Sequence, residues 1–211
     1  MRLAIFGATG ATGLQLVTQG LAQGHEIVCL VRKVAADGFP VGVMQLPGDA
    51  RDGEPVNSVI ARSDAVLSTL GSRSLKENDL LDQASACILA GMKRNGVRRL
   101  IVLGAAGVAD DAGKYQSYIS RVALNVIRRT VLKYPFQDQA AQERRLQASE
   151  VDYTIVRPPR LTNGAFTGRY RIEADALPPA AKSIARADVA DFMLKQLYDE
   201  RFVRRGVYIA R

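Results

Sequence analysis

The sequence predicts an α/β fold: a doubly wound, mostly parallel sheet with helices on both faces. Three observations predict it. Short apolar runs alternate with stretches of helical periodicity along 211 residues. Some of those runs, Ile27-Val28-Cys29-Leu30-Val31 above all, are continuously apolar, as strands buried on both faces of a parallel sheet are. Three of them stop at a glycine: Phe6 at Gly7, Leu70 at Gly71 and Leu103 at Gly104.

The first element carries the most information. Arg2 to Phe6 reads as a strand, Gly7-Ala8-Thr9-Gly10-Ala11-Thr12-Gly13 as a turn, and Ala11 to Gln23 as a helix stopped by Gly24. Leu14, Val17 and Leu21 recur at helical spacing. A strand, a glycine turn and a helix in succession form a phosphate-binding device. Glycine lets the backbone approach a ligand closely, and the helix end offers unpaired N–H groups and a positive dipole to an anion. The strand at Ile27–Val31 completes a βαβ unit of about 30 residues.

Arg32-Lys33 follow that strand. In dinucleotide folds this position meets the adenosine ribose, where an acid binds the 2′-hydroxyl of NAD and a base accommodates the 2′-phosphate of NADP. Arg32 lies 19 residues past Gly13. The glycine turn favours the NADP reading over a solvated strand end.

Further along, Gly42 to Leu46 predicts a short strand ending at Pro47-Gly48-Asp49, where Asp49 either meets the adenine edge or merely turns the chain. Pro55 to Arg62 reads as a short helix and Ala65 to Leu70 as a strand that ends at Gly71-Ser72-Arg73, where Arg73 adds charge to the site. Asn78 to Asn95 is a long helix and Arg99 to Leu103 a strand running into Gly104-Ala105-Ala106-Gly107. Val108 to Gln116 reads as a loop at the mouth of the site. A helix over about Ser117 to Lys133, broken by Pro135, precedes another over about Gln137 to Ser149. Tyr153 to Arg157 is a strand ended by Pro158-Pro159, which prevent further ladder pairing. A strand at Gly168–Ile172, a helix at Ala187–Tyr198 with Val189, Phe192, Met193 and Leu197 along one side, and a closing strand at Val207–Ala210 complete the chain.

Composition narrows the function classes. No apolar run approaches the roughly 20 residues of a membrane helix, and glycines and threonines interrupt the N-terminus at once, so neither a membrane span nor a signal peptide is expected. Cys29 and Cys87 are widely separated and form no CxxC, which reads as reduced thiols in the cytoplasm. The net charge of +8 is spread over dispersed pairs such as Arg98-Arg99 and Arg144-Arg145, with no Trp. Solvated faces and a phosphorylated cofactor account for it better than a nucleic-acid surface does. His25 is the single histidine, so no His-based metal site or catalytic triad can be built, and no metal is expected.

The glycine motif is G-x-x-G-x-x-G. Together with Leu30-Val31-Arg32, with Val151 to Pro159 and with Ile184 to Ala190, it resembles the atypical short-chain dehydrogenase/reductases. The chain is most similar to their NAD(P)H-binding members related to biliverdin-IXβ reductase, or flavin reductase. The resemblance implies one NAD(P)-binding Rossmann domain over residues 1–211, with about 158–185 as a small substrate-side excursion. It implies that Gly7, Thr9, Gly10, Ala11, Thr12 and Gly13 cradle the pyrophosphate and that Arg32 and Lys33 meet the 2′-phosphate. Asp49 and Ala50 would lie near adenine, and Leu70 and Gly71 along the middle of the cofactor. Pro158, Pro159, Arg160 and Leu161 would border the nicotinamide, with substrate near Ala105, Ala106 and the loop beyond. Tyr115 or Tyr118 on that loop covers the substrate, or is surface or core.

The departures are informative. None of the seven tyrosines has Lys four residues later, so the usual Tyr-x-x-x-Lys acid is absent. Ala105 replaces the family's serine and Arg160 its histidine, which counts against biliverdin itself. No catalytic residue is assigned. Glu143, where atypical members often carry an acid, reads as solvated or cap-pairing or as catalytic, and Asp188 as starting its helix or pairing with Arg186. Flavin reduction survives these losses, because the isoalloxazine can draw its proton from solvent and the protein need only stack two rings. The expectation is an NADPH-dependent reductase of a flavin, quinone or tetrapyrrole-like small molecule, preferring NADPH over NADH and acting as a monomer or weak homodimer. The alternatives are a non-catalytic NADP(H) sensor resembling the NmrA-like regulators and, more weakly, a nucleic-acid binder.

Overall fold

The structure, a computed structural model, describes residues 1–34, 39–71, 76–108 and 133–211. Its strands are β1 (Arg2–Phe6), β2 (Glu26–Val31), β3 (Met44–Pro47), β4 (Ala65–Ser68), β5 (Arg99–Leu103), β6 (Asp152–Arg157), β7 (Arg160–Thr162), β8 (Arg171–Glu173), β9 (Ser183–Ala185) and β10 (Arg205–Ala210). The described helices are α1 (Ala11–Ala22), α2 (Gly53–Ile60), α3 (Leu80–Asn95), α4 (Lys133–Gln147) and α5 (Arg186–Lys195).

Eight strands form one sheet in the order β3-β2-β1-β4-β5-β6-β10-β8. All neighbours are parallel except β10 and β8. The order reverses between β1 and β4, which opens a crevice at the carboxyl ends of the strands; this is the Rossmann-like arrangement. Strand alternation sends Leu3, Ile5, Cys29 and Leu67 into a core with Leu16 and Val17 of α1 and Phe192 and Met193 of α5. It sends Ala4, Phe6, Val28 and Val66 into a second core with Val56 and Ile60 of α2, Ile88 and Met92 of α3, and Leu146 of α4. Burying each such side chain stabilises the fold by roughly 1.5–3 kcal/mol before chain entropy opposes it.

Several local expectations are corrected. The buried stripe of α1 runs through Gly13, Leu16, Val17 and Gly20, while Leu14 and Leu21 are only half-buried. Gly20 explains the rotation: a Cβ there would stand 2.9 Å from the end of Ile27, so α1 lies closer to β2 than larger residues permit. Pro135 lies inside α4 and does not precede it. The two prolines end β6 at Arg157, and beyond them β7, which the sequence reading did not foresee, runs parallel to β9 in a separate two-stranded sheet. The strand expected at Gly168–Ile172 is β8, shifted to Arg171–Glu173. Most of the helix expected at about Ser117 to Lys133 lies outside the described residues.

Candidate functional site

The crevice holds a cleft of about 680 Å³ at the carboxyl ends of β1 to β4, within the size range usual for small-molecule sites. Four consecutive strand exits supply it: Phe6 to Gly10 after β1, Leu30 to Arg32 at β2, Gly48 to Arg51 after β3, and Thr69 to Gly71 after β4.

Its floor is backbone. Gly7 sits at φ +78°, and a Cβ on it would meet Thr69 backbone at 2.7 Å. Thr69 Oγ1 donates to the carbonyls of Phe6 (3.3 Å) and Gly7 (3.1 Å), fastening the two strand exits together. A Cβ on Gly13 would fall on the Gly7 carbonyl, so the turn and the first helical turn are in direct contact. The N-terminus of α1 is uncapped: Gly10 at the cap position has no side chain to offer, and the first turn holds no acid. By contrast, α2 is capped by Asp52, which accepts from the Glu54 N–H, and Asp138 reaches from α4 to the N–H groups of Leu81 and Asp82 at the start of α3. Burial pushes the Asp138 carboxyl up against the opposing pull of those N–H groups. The N–H groups of Ala11, Thr12 and Gly13 therefore start a helix that no carboxylate among the described residues serves, which fits the pyrophosphate of a dinucleotide.

At the far end, Arg32 is exposed and forms no ion pair among the described residues, and it adds a favourable field at Asp49. Asp49 takes the turn that was one of its two sequence alternatives. It lines the cleft and makes a turn in which it accepts three bonds from Arg51: from the N–H (2.9 Å), Nε (2.9 Å) and Nη2 (2.8 Å). Those side-chain bonds, then the backbone bond, hold the Asp49 carboxyl down at about 2. Arg51 is a cleft residue that the sequence reading missed. The Asp-x-Arg spacing was a visible signal, but it recurs at Asp199 and Arg201 with the same fork and no cleft, so spacing alone could not have identified the site.

Of the expected cofactor residues, Gly7, Thr9, Gly10, Arg32, Asp49, Ala50, Leu70 and Gly71 converge on this cleft. Ala11 is exposed at the helix start, Thr12 and Gly13 are buried behind the turn, and Lys33 is exposed beside Arg32 without lining it. Arg73, Tyr115 and Tyr118 lie outside the described residues.

Pro158, Arg160, Leu161, Ala105 and Ala106 gather beyond β5 and β6, outside the cleft lining. The Ala106 N–H donates to the Pro158 carbonyl (2.9 Å) and the Gly104 N–H to that of Val156 (2.7 Å), so the two exits run side by side. Pro158 and Ala106 are buried, Leu161 is half-buried and Arg160 is exposed. Behind them Glu143 corrects its sequence reading. It is neither solvated nor a cap; it forms a buried ion pair with Arg157, accepting from Nε (3.3 Å) and Nη2 (2.5 Å). The Arg157 guanidinium lies 5.5 Å from the Tyr208 ring centroid and occupies the space a Cβ of Gly206 would need. Asp188 is also corrected. It is fully buried and accepts from Thr167 N–H (2.8 Å), Thr167 Oγ1 (2.9 Å) and Gly168 N–H (2.9 Å), while Arg186 bonds Asn163 instead.

A tyrosine and a lysine do meet in space. Lys195 Nζ lies 3.3 Å from Tyr170 OH. Burial and the Asp191 carboxylate, which accepts from that hydroxyl at 2.6 Å, push the Tyr170 pKa far up. Tyr170 packs on Phe192, itself against Phe202, and does not line the cleft. A second cleft of about 720 Å³, bordered by Arg98, Asp152 and Tyr198, opens near the amino ends of β5 and β6 and has no glycine turn or uncapped helix. Among the described residues no cluster of His, Cys, Asp and Glu could hold a metal, and no helix is long and apolar enough to cross a membrane.

Comparison with known proteins agrees with this geometry. The chain is 24% identical over 177 residues to the photosystem II assembly factor Ycf39 of Synechocystis, covering 82% of this chain and 48% of that one. It spans between 12% and 48% of the length of the curated relatives it matches. A short-chain dehydrogenase/reductase of Veillonella parvula solved with NADP superimposes with a TM-score of 0.82 at 17% identity, covering 100% of this chain and 94% of that one. ChuY, an anaerobilin reductase of Escherichia coli O157:H7, does so with a TM-score of 0.79 at 22% identity, covering 100% and 97%. Residues 7–200 match the NAD(P)H-binding family, and the chain belongs to it.

Proposed function

We propose that the protein is an NADPH-dependent reductase that delivers hydride to a free flavin or a similar flat, conjugated acceptor. One observation carries the reading: an uncapped, acid-free helix start over a glycine floor lies in the same cleft as the exposed Arg32. Gly7 to Gly13, with the N–H groups of Ala11 to Gly13, hold the pyrophosphate. Arg32, supported by Lys33, neutralises the 2′-phosphate and favours NADPH over NADH. Ala50, Leu70 and Gly71 line the cofactor's path, and Pro158, Arg160 and Leu161 border its nicotinamide end. The acceptor lies over Ala105 and Ala106. Bound dihydronicotinamide supplies the hydride; the chain's own work is to align two flat rings and exclude water between them.

A flat acceptor suits the lack of an acid among the described residues. At this end of the described sheet Glu143 is committed to Arg157, and burial pushes the Tyr153 hydroxyl up. A flavin or quinone takes its proton from water, whereas an isolated carbonyl group needs a side-chain donor. The test is NADPH oxidation, followed at the nicotinamide absorbance band, with FMN, riboflavin, quinones and biliverdin. Turnover with flavin or quinone supports the proposal. Tight NADPH binding with no turnover on any acceptor overturns it and favours the second reading, an NADP(H)-binding regulator. That reading draws on the same lack of an acid and on the likeness to an assembly factor.

A further inference from the structure

The two arginines of the cleft are in different electrostatic states, and that difference gives them different ligands. Arg32 is exposed at the end of β2 and forms no ion pair among the described residues. Arg51 is already neutralised: Asp49 grips it through Nε and Nη2 and fixes its backbone N–H as well. A guanidinium whose charge and inner edge are both taken has little left to offer a dianionic phosphate. Its planar face remains. The two-bond fork holds that plane rigid, so little side-chain entropy is lost when a flat ring settles on it. The Arg51 side chain is 49% exposed even while paired, and it shares the cleft wall with Leu30, Ala50, Leu70 and Leu80. Flat cation and apolar walls together make a slot for an aromatic ring.

We infer that Arg51 is the residue on which the purine base of the dinucleotide stacks, and that Asp49 is its positioning residue and does not itself read the base. The inference rests on the cofactor reading above and adds a division of labour: Arg32 selects the 2′-phosphate, Arg51 holds the base.

Binding titrations of NADPH and NADH to the intact protein and its variants test this. Arg51→Ala weakens NADPH and NADH by the same factor, about three- to thirty-fold for a lost cation–π stack. Arg51→Lys does not restore affinity, because a lysine keeps the charge and loses the plane. Asp49→Asn reproduces part of the loss on both cofactors by loosening the fork. Arg32→Ala weakens NADPH alone. A loss confined to NADPH in Arg51→Ala places Arg51 on the 2′-phosphate and overturns the inference, as does unchanged binding of both cofactors. Failure of the wild-type protein to bind either cofactor overturns the cofactor reading itself, and the inference with it. The Arg51 side chain lies at the surface, so the folded state of each variant is checked by its melting curve and the affinities stay interpretable.

Discussion

Replacing Glu143 by Gln cuts at the point where four parts of the sheet's carboxyl end meet. The carboxylate is 8% exposed and the Arg157 side chain 10%, so neither charge has solvent to fall back on. Gln keeps the size and one acceptor but removes the negative charge that the Arg157 guanidinium faces on α4. Breaking one side of a buried ion pair costs about 3–5 kcal/mol, a large share of the roughly 5–15 kcal/mol that holds a typical domain together. For a chain of this length each kcal/mol moves Tm by roughly 2–4 °C, so the expected drop is roughly 6–20 °C. The loss is local in origin. Arg157 stacks on Tyr208, fills the space above Gly206 and immediately precedes Pro158, whose carbonyl holds the Ala106 N–H. NADPH turnover should therefore fall further than NADPH affinity, because the cleft at β1 to β4 does not include this pair. Thermal melts by circular dichroism, with cofactor titrations below Tm, measure both effects. The paired replacement Glu143→Met with Arg157→Met removes both charges together and should melt well above the single variant. A single variant melting within about 2 °C of wild type, or a double variant less stable than the single, would refute the reasoning.

Two more outcomes are expected. Gly13→Ala puts a methyl group onto the Gly7 carbonyl and the Ala8 backbone; it should reduce NADPH affinity at least about tenfold by pushing the turn off α1, and an alanine variant that binds like wild type would show that the turn does not carry the pyrophosphate. The Asp49 carboxyl, held at about 2 by Arg51, should show a ¹³C carboxyl titration near that value, returning to the ordinary carboxylate range in Arg51→Ala. Because the folded pKa is depressed, the pair's contribution is complete above about pH 4 and is lost only as the pH falls toward 2, so a wild-type midpoint near 4 would mean that the fork is not formed in solution.

The parts of the site legible in the sequence share one physical property: they are contiguous. The proposed phosphate cradle is seven consecutive residues whose chemistry is backbone geometry, and Arg32 is found by counting from it. Strands β1, β2 and β5 were readable because both faces are buried and every residue in their central runs is apolar. The helix α5 was readable from its apolar side, although the residues from Ala187 to Leu194 are all buried. The misreadings occur where a contact joins distant segments. Glu143 looked solvated because a helix rich in Gln and Arg surrounds it, and only the fold brings β6 beneath it. Asp188 looked like a helix starter because no local pattern announces the Thr167–Gly168 turn that it binds. A glutamate or aspartate on an otherwise exposed-looking helix carries no mark of its partner when that partner is a strand-end arginine or a loop amide.

Arg157 did carry such a mark. It ends a strand whose preceding residues, Tyr153 to Val156, are all buried, and an arginine continuing that run must be buried too or turn out to solvent. A buried arginine requires a carboxylate, and in the stretch leading into β6 the candidates are few: Asp138, Glu143, Glu150 and Asp152. Asp152 begins the same strand, at its opposite end, and pairs with Arg98. Glu150 stands at the turn into the strand, again at the wrong end. Only a residue further back on α4 can return to the strand's far end, which narrows the choice to Asp138 and Glu143. Asp138 serves the N–H groups of Leu81 and Asp82 instead, a contact between distant segments, so strand direction halves the candidates and the fold decides between the two that are left.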